Sequence, residues 1–117
     1  MQVWQFIHDN QRTGIPVILM YVLESIGSSP GRRAFHMAVS ANGQFCGTIG
    51  GGIMEHKFVE MAKALLKDGV AYSEVHRQVH DKKAVADQSG MICSGEQTIF
   101  LYTIRDKDNQ AIRELIL

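Results

Sequence analysis

The sequence contains little cysteine, no excess of charge of either sign and no long apolar run. Its two cysteines, Cys46 and Cys93, are too few for a disulfide scaffold and lack the paired spacing of a structural zinc site. Lys+Arg and Asp+Glu total 12 each among 117 residues, so no net charge attracts nucleic acid or an anionic membrane. No apolar stretch approaches the roughly 20 residues that span a bilayer, and the N-terminus lacks the features of a signal peptide. We therefore expect a cytoplasmic protein with reduced thiols and neither a nucleic-acid nor a membrane partner.

The residues that are present suit a folded domain, since 45% are hydrophobic and 21% are charged. The apolar run 17–23 predicts a central strand buried on both faces, and Asn42-Gly43 predicts a β-hairpin. The predicted order is a helix at 3–12, a strand at 16–25, hairpin strands at 35–40 and 44–49, an amphipathic helix that follows Gly52 and ends at Gly69, a strand at 72–80, a polar loop at 81–90, a strand at 97–104 and the start of a helix at 108–117. This order predicts a single α+β domain over residues 1–117, in which helices cover a mixed β-sheet that includes the hairpin.

A glycine loop at residues 47–52, Gly47-Thr48-Ile49-Gly50-Gly51-Gly52, joins a predicted strand to a predicted helix. Gly50, Gly51 and Gly52 let backbone N–H groups approach a ligand, and the helix N-terminus adds unpaired N–H groups and a positive dipole end. The loop therefore suits an anion, although the same glycines also suit a tight turn with close helix packing. It is neither a P-loop nor a complete dinucleotide-binding fingerprint. Glu55, one turn into the helix, is either a structural carboxylate or a ligand for the N–H edge of a pterin.

A second glycine-containing turn, residues 90–96, precedes the last predicted strand and contains Cys93, Gly95 and Glu96. A thiol at the entrance of a strand is accessible, and a thiolate is a soft ligand suited to molybdenum or sulfur chemistry. The alternative is that Cys93 is a small buried apolar residue. Cys46 lies inside a hairpin strand and is interpreted as a packing residue.

The loop after the first strand contains Ser28, Ser29, Arg32 and Arg33. Two guanidinium groups and two hydroxyls can hold a phosphate, while the alternative for such a pair of arginines is solvated surface. Four-residue spacing along a strand places His76 and His80 about 13 Å apart, too far for a shared metal ion. No Ser-His-Asp or Cys-His catalytic arrangement can be assembled from the local sequence.

These motifs, in this order, resemble the N-terminal domain of the XdhC/CoxI family over roughly residues 17–102. The matching residues are Gly27-Ser28-Ser29-Pro30, Met37, Gly47-Thr48-Ile49-Gly50-Gly51-Gly52 with Glu55, and Met91-Ile92-Cys93-Ser94-Gly95-Glu96. The resemblance implies a protein that binds the molybdenum cofactor, protects it and delivers it to a molybdenum hydroxylase such as xanthine dehydrogenase, often after a sulfurase has acted on the cofactor. This chain departs from the family pattern at Gly31, where the family usually has arginine, and at Ala34 and Ser94, where it usually has glycine.

The resemblance also implies a C-terminal Rossmann-like domain, and since the sequence ends where that domain would begin, the chain is expected to be a stand-alone paralogue or a fragment. A homodimer would complete the cofactor pocket, and the apolar residues 115–117 suit such an interface. The leading hypothesis is a cofactor chaperone without turnover of its own, with Cys93 near the metal. The candidate cofactor-binding residues are Ser28, Arg32, Arg33, Gly50, Gly51, Gly52, Glu55, Cys93, Gly95 and Glu96. The alternatives are a nucleotide-binding oxidoreductase or sulfur-handling enzyme that uses Cys93, and a non-catalytic dimeric interaction module.

Overall fold

An antiparallel sheet organises the parts of the chain that the computed structural model describes, which are residues 2–27, 31–80 and 95–116. The α+β class is confirmed, and each predicted element within these residues is present. The strands are β1 Val17–Gly27, β2 His36–Ser40, β3 Phe45–Gly47, β4 Ser73–His80 and β5 Gly95–Thr103. The helices are α1 Gln2–Arg12, α2 Gly52–Lys67 and α3 Asn109–Ile116, the last preceded by a 3-10 turn at Asp106–Asp108. The predicted loop at 81–90 lies outside the described residues.

The strand order is β3-β2-β1-β5-β4, and all four described pairings are antiparallel. The sheet was expected to contain both parallel and antiparallel pairs, and this expectation was wrong for the described strands. The connection from Gly27 to His36 is shorter than the dozen or so residues that a parallel crossover needs, so β2 must run against β1. The Asn42-Gly43 turn then reverses the chain again into β3, as the sequence predicts.

The first half of β1 is buried on both faces, which confirms its predicted position at the centre of the sheet. Ile18, Met20 and Val22 face one hydrophobic cluster, whereas Val17 faces a second cluster on the opposite side. A strand covered on both sides must be apolar at successive positions, which explains the continuous run in the sequence. Beyond Val22 the pairing with β5 shifts register, and the strand continues to the end of the sheet that bears the candidate site.

Helix α2 covers one face of the sheet, and α1 and α3 cover part of the other. The buried residues of α2 recur at helical spacing, and the helix stops before Gly69, whose φ of 70° suits a residue without a side chain. On the opposite face, Ile112 of α3 packs against Ile7 of α1. The C-terminal apolar residues were predicted to need a partner surface. Ile116 packs against the cluster that includes α1, whereas Leu115 is 49% exposed. The buried residues of α2 are Met54, Phe58, Val59, Ala62 and Leu66.

Ala34 has a left-handed backbone, with φ at 74°, a conformation that favours glycine. Its N–H donates to the carbonyl of Val22, and the N–H of Val22 donates to the carbonyl of Phe35. These two bonds hold the segment against β1 and fix the strained conformation. A left-handed conformation costs an L-residue about 1–2 kcal/mol.

We expect Ala34→Gly to raise the free energy of unfolding by about 0.5–1 kcal/mol. Relief of the left-handed strain exceeds the roughly 0.4–1 kcal/mol that added freedom of the unfolded chain costs. Urea denaturation measures the change, and Ala41→Gly is the matched control because Ala41 lies in an exposed turn without positive φ. The control should lose stability. Equal losses in both variants would contradict the strain at Ala34.

Candidate functional site

The described residues that border the sequence motifs meet at one end of the sheet. Gly27, the last residue of β1, pairs with Gly95, the first residue of β5, and Gly95 also pairs with His80 at the end of β4. Gly27 and Gly95, which border two of the sequence motifs, therefore lie at neighbouring points. Ser28 and Cys93, two of the candidate residues, lie outside the described residues.

Gln97 joins two of these segments, and the sequence analysis did not identify it. Its side chain is fully buried in β5. The N–H of Gly31 donates to Gln97 Oε1 at 3.2 Å, and Gln97 Nε2 donates to the carbonyl of Ile49 at 2.7 Å. One amide thus connects the arginine segment, residues 31–33, to the glycine loop. The sequence signal for it is an amide that alternates with Ile99 and Leu101 on the buried face of the strand.

Glu55 holds the glycine loop against the first turn of α2. Its Oε1 accepts hydrogen bonds from Thr48 Oγ1 at 2.5 Å, from the N–H of Ile49 at 2.9 Å and from the N–H of Gly51 at 3.1 Å. The N–H of Gly50 donates to Thr48 Oγ1 at 3.0 Å. Of the two alternatives for Glu55, these bonds favour the structural carboxylate. They also engage the N–H groups of Gly50 and Gly51 within the loop.

The N-terminus of α2 is the part of the glycine loop that is open to a ligand. Gly51 occupies the N-cap position, with φ of 80°, and makes no side-chain cap, while Gly52 follows with φ of 73°. A Cβ placed on either glycine would meet no atom within 4 Å. The first N–H groups of a helix have no intrahelical acceptor and carry the positive end of its dipole. An anion can therefore approach the start of α2 beside Gly51 and Gly52.

Arg32 and Arg33 are both exposed and directly follow Gly31, which Gln97 connects to the glycine loop. Arg32 Nη1 lies 3.5 Å from the carbonyl of Gly31. The two guanidinium groups add positive charge near an end of the sheet where the start of α2 contributes a positive dipole. This combination suits the binding of a phosphate.

Glu96 forms an ion pair with Arg77 across β4 and β5. Arg77 Nε donates to Glu96 Oε2 at 2.9 Å, and Arg77 Nη2 donates to Glu96 Oε1 at 2.5 Å. These bonds and the positive charge of Arg77 lower the pKa of Glu96, and the carboxylate raises the pKa of Arg77 in return. The predicted candidate Glu96 thus has a protein partner, which the sequence analysis missed because the pairing follows from strand register.

We expect the pKa of Glu96, measured by NMR titration of its carboxyl carbon, to lie below the ordinary value, and Arg77→Gln to raise it. Since the folded-state pKa is lowered, the ion pair contributes to stability above the unfolded-state pKa, and this contribution is lost as the pH falls through the folded-state pKa. Glu60 is the internal control, because its pKa is lowered by Lys63 on α2 and should not respond to Arg77→Gln. An unchanged Glu96 pKa in the variant would show that the pair does not form in solution.

His36 and His76 have packing roles. His36 stacks between Trp4 and Tyr21, with ring centroids 5.1 and 5.4 Å away, and His76 Nε2 lies 2.7 Å from the hydroxyl of Tyr72. Within residues 2–27, 31–80 and 95–116 no group of three or more His, Cys, Asp or Glu side chains could hold a metal ion. Cys46 packs against the cluster beneath α1, as predicted. In the same residues, no helix combines the length and apolar character needed to cross a bilayer.

The fold and the site define a small α+β domain in which the glycine loop and the arginine segment meet at one end of an antiparallel sheet. The model of the XdhC and CoxI family matches residues 11–77, and the chain belongs to that family. It is 33% identical over 88 residues, which are 74% of this chain, to the uncharacterized protein YqeB of Escherichia coli strain K12. A Bacillus halodurans crystal structure described as a xanthine dehydrogenase shares the fold, with a TM-score of 0.69 and 19% identity over 97% of this chain. The matches span only 15% of the Escherichia coli protein and 34% of the Bacillus halodurans chain.

Proposed function

We propose that this domain binds the molybdenum cofactor as cargo and delivers it to a molybdenum hydroxylase of the xanthine dehydrogenase type, without turnover of its own. The observation that carries the proposal is the convergence of the arginine segment and the glycine loop on one buried amide, beside the paired Gly27 and Gly95. Membership of the XdhC and CoxI family supports an accessory role in the maturation of such enzymes.

The proposed cargo contains a phosphate, and the described residues fit this group. Space is open beside Gly51 and Gly52 at the start of α2, and Arg32 and Arg33 are exposed. In this proposal the N-terminal N–H groups of α2 donate hydrogen bonds to the phosphate. The two guanidinium groups bind the phosphate oxygens that face the solvent. Ser28 contributes a further hydroxyl donor.

The remaining candidates are assigned to the metal end of the cofactor and to the loops themselves. Cys93 supplies a soft thiol near the metal or its terminal sulfur, and Gly95 leaves room at the entrance of β5. Glu55 and Glu96 hold the glycine loop and the β4–β5 pairing rather than contact the cargo. The other proposed partners are a cofactor sulfurase and a second copy of the chain that completes the pocket, all in the cytoplasm.

The deciding experiment is an anaerobic titration of the purified protein with molybdenum cofactor, followed by gel filtration and measurement of bound molybdenum and pterin. We expect stoichiometric retention of both. Retention of a nicotinamide nucleotide instead would support the oxidoreductase alternative. Retention of neither, together with a tight dimer, would support the interaction module.

Two variants test the phosphate contacts in the same titration. Replacing both Arg32 and Arg33 by alanine should weaken retention about tenfold or more, because each charge-assisted hydrogen bond contributes about 1.5–3 kcal/mol. The matched control replaces Arg12 and Arg113, which lie on α1 and α3, and should not change retention. Equal effects of the two pairs would indicate a non-specific charge effect.

A further inference from the structure

Gln97 has a buried amide side chain, and both its oxygen and its nitrogen form hydrogen bonds with backbone atoms of other segments. It lies in β5 with no exposed surface, next to the buried Ile99 on the same face of the strand. Burying an amide without hydrogen bonds costs about 1–3 kcal/mol, so an apolar residue would be the ordinary choice at this position. The two partners, Gly31 and Ile49, are distant in sequence from Gln97 and from each other.

The backbone of Gly31 lies so close to this amide that only a residue without a side chain fits there. A Cβ on Gly31 would lie 2.1 Å from Gln97 Nε2 and 2.2 Å from the carbonyl oxygen of Ile49. The arginine segment, the amide and the glycine loop are therefore in direct contact, with no room for a side chain between them. A shift of the Gln97 amide would move Gly31 relative to Ile49, and with them Arg32 relative to the start of α2.

We infer that Gln97 is a positioning residue that fixes the arginine segment relative to the glycine loop. The guanidinium groups and the N-terminus of α2 can then bind the same anionic ligand. The inference rests on the proposed function for its ligand, although the geometric coupling can be measured without one. Gln97 does not contact the cargo. It acts through Gly31 and Ile49, whose backbones it holds.

Gln97→Glu distinguishes positioning from simple packing, because it changes the hydrogen bonding and leaves the shape nearly the same. The ionised carboxyl still accepts from the N–H of Gly31 but cannot donate to the carbonyl of Ile49, so two acceptors face each other. The protonated carboxyl restores the donor. Burial raises the pKa of an introduced carboxyl, so the switch between the two forms should occur above the ordinary range for glutamate.

The experiment measures molybdenum cofactor affinity and thermal stability between pH 5.5 and 8 for wild type, Gln97→Glu and Gln97→Leu. Gln78→Glu is the matched control, because Gln78 lies directly opposite Gln97 on β4 and forms no described hydrogen bond to either loop. We expect Gln97→Glu to bind at least about tenfold more weakly than wild type at pH 8 and to approach wild type at low pH. Gln97→Leu should bind weakly at every pH, and Gln78→Glu should follow wild type.

The backbone amide signals of Gly31 and Gly52 give a second readout without cofactor. In Gln97→Glu both should shift with one midpoint as the introduced carboxyl titrates. Failure of the wild-type protein to bind the cofactor would refute the proposed function. The two amide signals would still show whether the arginine segment and the glycine loop move together. The inference is overturned if Gln97→Leu folds and binds like wild type, if the two signals titrate independently, or if Gln97→Glu fails to fold at low pH.

Discussion

Gly31→Ala should lower the free energy of unfolding by at least about 3 kcal/mol, which is more than a glycine replacement ordinarily costs. The cost is steric. The added methyl would lie 2.1 Å from Gln97 Nε2 and 2.2 Å from a backbone oxygen of Ile49. Because the second atom belongs to the main chain, no side-chain rotation can make room.

The matched control is Gly69→Ala, at which a Cβ meets nothing within 4 Å but φ is 70°. This variant carries only the conformational cost of a left-handed alanine, about 1 kcal/mol. Urea denaturation of both variants separates steric from conformational cost. Similar losses in the two would mean that the Gly31, Gln97 and Ile49 contact is looser than described.

The parts of the fold that follow from local patterns could be predicted from the sequence. Asn42-Gly43 fixes a tight turn wherever it lies between apolar segments, and Gly69 ends a helix whose apolar residues recur at helical spacing. The direction of β2 follows from its short connection to β1, but the direction of β5 relative to β1 could not be read from local patterns, because that pairing joins segments far apart in the chain. The sheet was therefore expected to be mixed and is antiparallel in all its described pairings.

The site could be predicted only where a motif is continuous in sequence. The glycine loop and Glu55 belong to one such motif, but the choice between a structural and a ligand-binding Glu55 needed the three hydrogen bonds to its Oε1. The role of Gln97 depends on two partners in other segments. The Arg77–Glu96 pair depends on the register between β4 and β5, which the sequence pattern does not specify.

Glu55 links the anion-binding potential of the glycine loop to its stability. The loop brings several N–H groups together, and a carboxylate of the protein satisfies those of Ile49 and Gly51. In the proposed function, the N–H groups left for the phosphate are therefore those at the start of α2, from Gly52 onward. The carboxylate also fixes the positive-φ conformation of Gly51, so the loop is ordered before a ligand arrives.

Glu55→Ala should lower the free energy of unfolding by about 2–3 kcal/mol. The variant removes one charged acceptor that serves two backbone N–H groups and one hydroxyl, and hydrogen bonds to charged groups are worth about 1.5–3 kcal/mol. It also removes a negative charge from the first turn of α2, where the helix dipole favours one by about 0.3–1 kcal/mol. The expected loss is smaller than the sum of these contributions, because water can replace part of the lost hydrogen bonds.

Glu60→Ala is the matched control on the same helix, because the Glu60 carboxylate is exposed and forms an ion pair with Lys63 at 3.0 Å. An exposed pair of this kind contributes little to stability, because water screens the two charges. Glu55→Gln should fall between the two alanine variants, since its amide oxygen still accepts but without charge. Amide hydrogen exchange at Ile49 and Gly51 should quicken in Glu55→Ala and stay slow in Glu60→Ala. If the two alanine variants are equally stable and exchange alike, Glu55 does not hold the loop, and its alternative role as a ligand for the cofactor becomes the one to test.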